Sequence, residues 1–310
     1  MIAHRFVFAC ICIAAFSDVG RPPSTLALSL SKGERSGQAF RAADRRPERP
    51  ALRNAASREC FLLYEVGVGQ VRRNPADACG TRLSPASTFK IPHALAALDA
   101  GVVTGPDDTF KWDGVARSYE SWRRDHTLAS AMRYSVLWYF QRIAAKLGMS
   151  REREYLTRFD YGNADPSSGL TTFWLGESLL ISPEEQQRFL LRLFSPSTSL
   201  GTGGDLPVSK TAVGTVKNIL VQPRDRVVNA TGEHPFAAPW PAGVTVSAKT
   251  GAATDRAGQS VRWLVGHVQR GLRGWVFVSA VTTTTGGDEL PPLAAVDLAA
   301  QSLREEHVLR

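Results

Sequence analysis

Ser87 and Lys90 stand three residues apart in "SPASTFKIPHALAALDAG" (84–101), a stretch that starts as a loop and finishes as an apolar helix. At i and i+3 of one helix, a hydroxyl and an amine project onto the same face. The pair is either a cap and a solvated charge, or a nucleophile and its base. The second reading needs an altered lysine: at the ordinary pKa of about 10.4, only a few molecules in ten thousand are neutral at pH 7. A fall of about three units, roughly 4 kcal/mol, makes lysine a competent proton acceptor, and burial in apolar surroundings supplies it. "YSVLWYF" (134–140) and "TFWLGESLLIS" (172–182) offer such surroundings, each with a tryptophan. Pro85 and Pro92 both favour an early helix start, which puts Ser87 where unpaired backbone N–H groups can hold an oxyanion. The spacing alone is cheap. Ser-x-x-Lys arises by chance on the order of once in a chain of this length, and Ser29 with Lys32 repeats it in a low-complexity stretch.

The elements that must hold the pair can be read from hydrophobic period. "CFLLYEVG" (60–67) and "QVRRN" (70–74) alternate across a glycine turn and predict a first hairpin. Helical patterns follow at 127–148, at 151–159 and at 183–194, the last with Ser182 and Pro183 at its start. From Val244 the pattern returns to strands, with a long hairpin of 261–269 and 274–282. Residues 290–306 read as a C-terminal helix. Strands at both ends with helices between predict an α+β fold. Its antiparallel sheet comes from the N- and C-terminal thirds, with an all-helical subdomain inserted over about 105–205 and a ligand cleft between the two parts.

The chain has 310 residues, 43% hydrophobic residues and a formal charge of +8. Residues 1–58 hold ten Lys/Arg and four Asp/Glu, so +6 of that charge belongs to the first segment. A nearly neutral body makes no phosphate-tracking face, which argues against a nucleic-acid partner. Arg5 followed by the apolar run 6–16 suits a signal peptide over 1–20, and implies export to the periplasm of a Gram-negative bacterium without a stable membrane anchor. Residues 21–58 have the composition of a linker or disordered arm, and a single domain occupies 59–310. Cys60 and Cys79 bracket the first hairpin and are either a disulfide or two buried thiols.

Three further stretches fall in order after Ser87. "YSVLW" carries Ser135; "DYGN" carries Tyr161, Gly162 and Asn163; "SAKTGAA" carries Lys249, Thr250, Gly251 and Ala252. Single motifs have decoys here, among them Lys210-Thr211-Ala212, but four in order with "PASTFKIP", "FDYGN" and "FWL" around them are specific. Over about residues 60–305 the chain resembles the class D, oxacillinase-type beta-lactamases, within the beta-lactamase and penicillin-binding transpeptidase fold.

That resemblance implies roles. Ser87 is the nucleophile that opens the lactam and carries the acyl group. Lys90 is the general base, held in the family as N-carboxylated lysine made with carbon dioxide, with no other cofactor and no metal. Trp174 resembles the tryptophan whose indole N–H bonds the carbamate. Ser135 relays a proton towards the lactam nitrogen and Lys249 adds positive charge. Thr250 and Gly251 line a strand edge for the substrate, and the N–H groups of Ser87 and Ala252 form the oxyanion hole. Tyr161, Gly162 and Asn163 are a structural rim, with no proton transfer assigned to Tyr161. The implied partner is a small-molecule beta-lactam, met by a monomer or homodimer.

Two departures stand out. Leu137 replaces the usual valine of the second motif, where it sits over the modified lysine. No arginine lies between Arg273 and Arg304, where many members keep one for the substrate carboxylate; Thr250, Lys249, Arg256 or Arg262 must serve instead. The alternatives to a hydrolase are a penicillin-binding D,D-peptidase or transpeptidase, and a beta-lactam sensor domain. The six histidines show no zinc spacing, so His93, His126 and His267 read as ordinary core or surface residues.

Overall fold

The computed structural model describes residues 57–74, 76–195, 204–283 and 289–310. The segment 1–20 and all but the last two residues of the arm 21–58 lie outside the described residues, as do 196–203 at the end of the predicted helical subdomain. Strands β1 (Ser57–Glu65) and β2 (Gly69–Asn74) make the first hairpin, followed by the short helix α1 (Ala76–Cys79). A 3₁₀ turn over Ala86–Phe89 leads into α2 (Lys90–Asp99). The middle block, the predicted subdomain, is not all-helical: besides α3 (Leu128–Arg133), α4 (Leu137–Arg158) and α5 (Pro183–Phe194) it holds two short paired strands, β3 (Thr109–Phe110) and β4 (His126–Thr127), too short to leave a pattern in the sequence. After it come α6 (Lys210–Ile219), β5 (Arg226–Asn229), β6 (Gly232–Pro235), β7 (Val244–Thr254), β8 (Ser260–Arg270), β9 (Arg273–Thr283) and α7 (Ala294–Glu305).

The main sheet has five strands in the order β2-β1-β9-β8-β7, every pair antiparallel. It is built from the two ends of the chain, as the sequence predicts. Both of its faces are covered, which explains why its central strands read as nearly continuous apolar runs. Period 2 divides each strand between two cores. Leu62, Val265, Val276 and Val278 join the helices of the middle block on one face. Phe61, Leu63, Leu264, Phe277 and Val281 join Ala295, Val296, Ala299 and Leu303 of α7 on the other.

The predicted helix over 127–148 is corrected. The apolar period runs through it, but the chain leaves α3 at Tyr134, places Ser135 at φ 55, and restarts as α4 at Leu137. A left-handed serine costs about 1–3 kcal/mol, and such strain persists where surrounding structure imposes it. Here Val136 N–H bonds back to Ala131 O at 2.9 Å, closing the turn around Ser135. The second predicted helix, 151–159, is the end of α4, set off by a non-helical Gly148 (φ 78). The helix over 183–194 is found with those bounds, Ser182 capping it reciprocally with Glu185.

Cys60 and Cys79 are joined by a disulfide, 19 residues apart in sequence, tying α1 to β1. Closing a loop of that size stabilises by about 3 kcal/mol. Reduction, or Cys79→Ser, is therefore expected to lower the thermal midpoint by roughly 5–10 °C. An unchanged midpoint under reductant contradicts that contribution.

Candidate active site

The 3₁₀ turn and the first residue of α2 set the centre. Lys90 Nζ lies 2.8 Å from Ser87 Oγ, one helical turn away. Ser87 is half-exposed, whereas Lys90 is 1% exposed, so the hydroxyl faces the cleft and the amine lies beneath it. The hydroxyl is not a cap, since the 3₁₀ turn begins after Pro85 without a side-chain cap. Lys90 Nζ sits 5.5 Å from the Phe140 ring centre. Among the described residues no carboxylate pairs with it. Burial, and then the charge of Lys249, hold its pKa well below the usual lysine value.

Lys249 arrives from β7. Its Nζ donates to Ser135 Oγ at 3.0 Å and to Thr250 O at 2.9 Å. The broken helix at Ser135 is what lets a serine between α3 and α4 meet a lysine 114 residues away. Lys249 is 3% exposed, and burial lowers its pKa to about 7. Two lysines, each buried without an acid, therefore sit near one nucleophile. One has its neutral form favoured by burial beside Ser87, and the other is poised between charged and neutral beside Ser135.

β7 lies at the sheet edge and passes close to the turn that holds Ser87. A Cβ on Gly251 would meet Pro85 O, Thr88 Cγ2 and Trp263 Cδ1, each at 3.1 Å, so any side chain here would push the turn and the strand apart by a few tenths of an ångström. Residues of an antiparallel strand point both N–H and C=O to the same side, alternating along the chain. Val246 O and Ala248 N–H bond outward to Gln222 N–H and Leu220 O. In the unbroken register of β7 with β8, Ala252 N–H therefore points to the same outer edge of the sheet.

The aromatic wall comes from the other motifs. Trp174 is fully buried, stacks on Phe89 at 5.5 Å and meets His93 at 5.5 Å. Its indole Nε1–H has no hydrogen-bond partner. Tyr161 is also fully buried, 5.8 Å from Phe89 edge-on, and burial pushes its pKa up, which removes it from proton transfer. Gly162 (φ 58) packs where a Cβ would lie 2.0 Å from Leu180 O. Asn163 Nδ2 donates to Ser178 O and its Oδ1 accepts from Leu180 N–H, clipping the rim. Leu137 opens α4 and is half-buried against the larger core.

Ser84 escaped the sequence reading. Its Oγ donates to Trp174 O (3.0 Å) and accepts from Gly176 N–H (2.8 Å), and its carbonyl accepts from Trp263 Nε1 (2.9 Å). This one residue joins the nucleophile turn, the Trp174 loop and β8. A serine before a proline carries no local signal of that role. Nor did the sequence expose the pair of His93 Nε2 and Glu152 Oε1, 2.8 Å apart and buried behind Phe89. The decoy Lys210-Thr211-Ala212 is the start of α6, with Lys210 exposed and away from this cluster. Among the described residues no group of His, Cys, Asp and Glu could hold a metal ion, and no helix is long and apolar enough to cross a membrane.

The model of the penicillin-binding protein transpeptidase domain matches residues 35–296. "Probable beta-lactamase YbxI" of Bacillus subtilis is 35% identical over 221 residues, 71% of this chain and 73% of that protein. "Beta-lactamase OXA-48" of Klebsiella pneumoniae is 37% identical over 71% of this chain and 74% of its own length. Among solved structures, "Class D beta-lactamase BAT-2" superposes with a TM-score of 0.68 at 32% identity, covering 82% of this chain and 93% of that one.

Proposed function

Because the chain belongs to the class D beta-lactamases, we propose that it hydrolyses beta-lactam antibiotics through an acyl-enzyme on Ser87. The observation that carries this reading is the buried, unpaired Lys90 held 2.8 Å from a half-exposed serine hydroxyl. A neutral Lys90 takes the proton as Ser87 Oγ attacks the lactam carbonyl. The N–H groups of Ser87 and Ala252 receive the oxyanion. The lactam C–N bond breaks, and the nitrogen takes a proton from Ser135 Oγ, which Lys249 replenishes. Water then attacks the ester, Lys90 returns its proton to Ser87 Oγ, and the proton released by the water restores the Ser135–Lys249 pair. Purified protein mixed with a chromogenic cephalosporin is expected to convert many equivalents of substrate. A stoichiometric colour change that stops after one equivalent supports a D,D-peptidase or a sensor instead.

The site also suits a carboxylated Lys90. Only a neutral amine adds carbon dioxide, and the buried, unpartnered indole N–H of Trp174 is a donor in want of an acceptor in the same aromatic wall. When present, that carboxylate supplies the base for the Ser87 proton and for the hydrolytic water. No other cofactor is invoked. Leu137, longer than valine, narrows the space through which that water enters. Residues 1–20 direct export to the periplasm, where the protein works as a monomer or homodimer.

A pH profile separates the two states of Lys90. In carbon-dioxide-depleted buffer kcat/KM is expected to decline as pH rises through about 7, because Lys249 loses its charge there. Bicarbonate puts a negative charge beside Lys249, favours its cation and moves that limb to higher pH while raising activity. Identical profiles with and without bicarbonate contradict the carboxylated base.

A further inference from the structure

Penicillins and cephalosporins carry a carboxylate on the ring fused to the lactam, and the sequence leaves that group without an evident partner. Two arginines follow the Lys249 strand. Arg256 is spent elsewhere: it is 81% exposed and pairs with Glu177 at 2.6 Å. Arg262 is different. Its side chain is 11% exposed, a guanidinium drawn into the protein at the end of β8 nearest the cleft.

The register places it. Arg262 is directly opposite Ala252, the residue whose N–H points out from the edge of β7. Val244, Val246 and Ala248 of β7 and Leu264 and Val268 of β8 all lie in the core under α7. By period 2, Thr250, Ala252 and Arg262 project to that same side of the sheet. Directly opposite residues stand about 5 Å apart, and Ala252 between the other two is exposed and contributes only a methyl. On that side of the sheet a small, exposed alanine is thus all that the strand register sets between the threonine and the arginine.

Among the described residues that guanidinium has donors to spare. Nη1 donates to the neighbouring Val261 O (3.1 Å) and Nη2 to Leu290 O (3.3 Å), although arginine has five N–H donors. Its only acid among the described residues is Glu289, 88% exposed and 3.7 Å away, a weak partner for an incoming carboxylate to displace.

We infer that Arg262 seats the substrate's ring carboxylate together with the Thr250 hydroxyl, in place of an arginine beyond the last strand. This rests on the hydrolase reading above. A planar fork matches a carboxylate at two points, which a lysine cannot do.

The test compares benzylpenicillin with its methyl ester, on wild type, Arg262→Ala, Arg262→Gln and Arg262→Lys. Arg262→Ala is expected to lower kcat/KM for the free acid by about 10- to 100-fold, mostly through KM. The ester should be turned over equally by wild type and variant, and Arg262→Lys should recover part of the loss on the acid. If the alanine variant does not fold, Arg262→Gln, which keeps a donor for Leu290 O, gives the same comparison. An equal loss on acid and ester, or no loss on either, overturns the role of Arg262 and leaves the hydrolase standing. A wild type inert towards both overturns the hydrolase and this inference with it.

Discussion

Ser87→Ala is expected to fold as the parent does and to lose at least about 10³-fold in kcat/KM towards a penicillin, since removal of a nucleophile is among the costliest single changes in a hydrolase. No covalent adduct should form. The thermal midpoint should hardly move, because the Ser87 hydroxyl caps nothing and its one side-chain hydrogen bond is with Lys90. Activity rates and a melting curve on one preparation check both halves. Retained activity with a lowered midpoint would return Ser87 to a structural role.

The second large effect is at Lys90, where function and stability pull apart. Replacing it by methionine, of similar length, removes the proton acceptor and should lower turnover by about 10²- to 10⁴-fold. It also removes a buried, acid-free amine whose pKa is held well below the usual value. The sign of that linkage is definite. Between the depressed folded value and lysine's ordinary value of about 10.4, the unfolded chain binds the proton and the folded one does not, so folding is opposed at neutral pH and favoured as pH rises. Lys90→Met should therefore melt higher than wild type at pH 7, with the gap narrowing towards pH 10. A variant that is both inactive and less stable at pH 7 would show that Lys90 holds the fold together rather than straining it.

Much of this site could be read before any coordinates. The order of Ser87, Ser135, Tyr161 and Lys249, with their flanking residues, names a family, and period 2 at both ends of the chain predicts the sheet. Ser182 and Pro183 announce a helix start that the structure keeps. Other features are not local. Ser135 lies in an apolar run whose helical period continues through it, so neither the left-handed break nor the contact with Lys249 of β7 has a local signal. Ser84 and the His93–Glu152 pair draw their partners from 59 to 179 residues away. The bridge between Cys60 and Cys79 needed α1 to fold back on β1, and α6 and the β5–β6 hairpin have patterns too short to predict. Arg262 is the clearest case: on a strand the sequence identifies correctly, its meaning depends on a cross-strand neighbour that only register supplies.

In this mechanism Ser87 is acylated and then freed. Intact-mass spectrometry during reaction with excess benzylpenicillin tests it most directly, with the adduct mapped to the peptide carrying Ser87. An adduct of one penicillin mass is expected, disappearing as substrate is exhausted while hydrolysed product accumulates to many equivalents. An adduct that persists after the free antibiotic is gone, with one equivalent consumed, would contradict it.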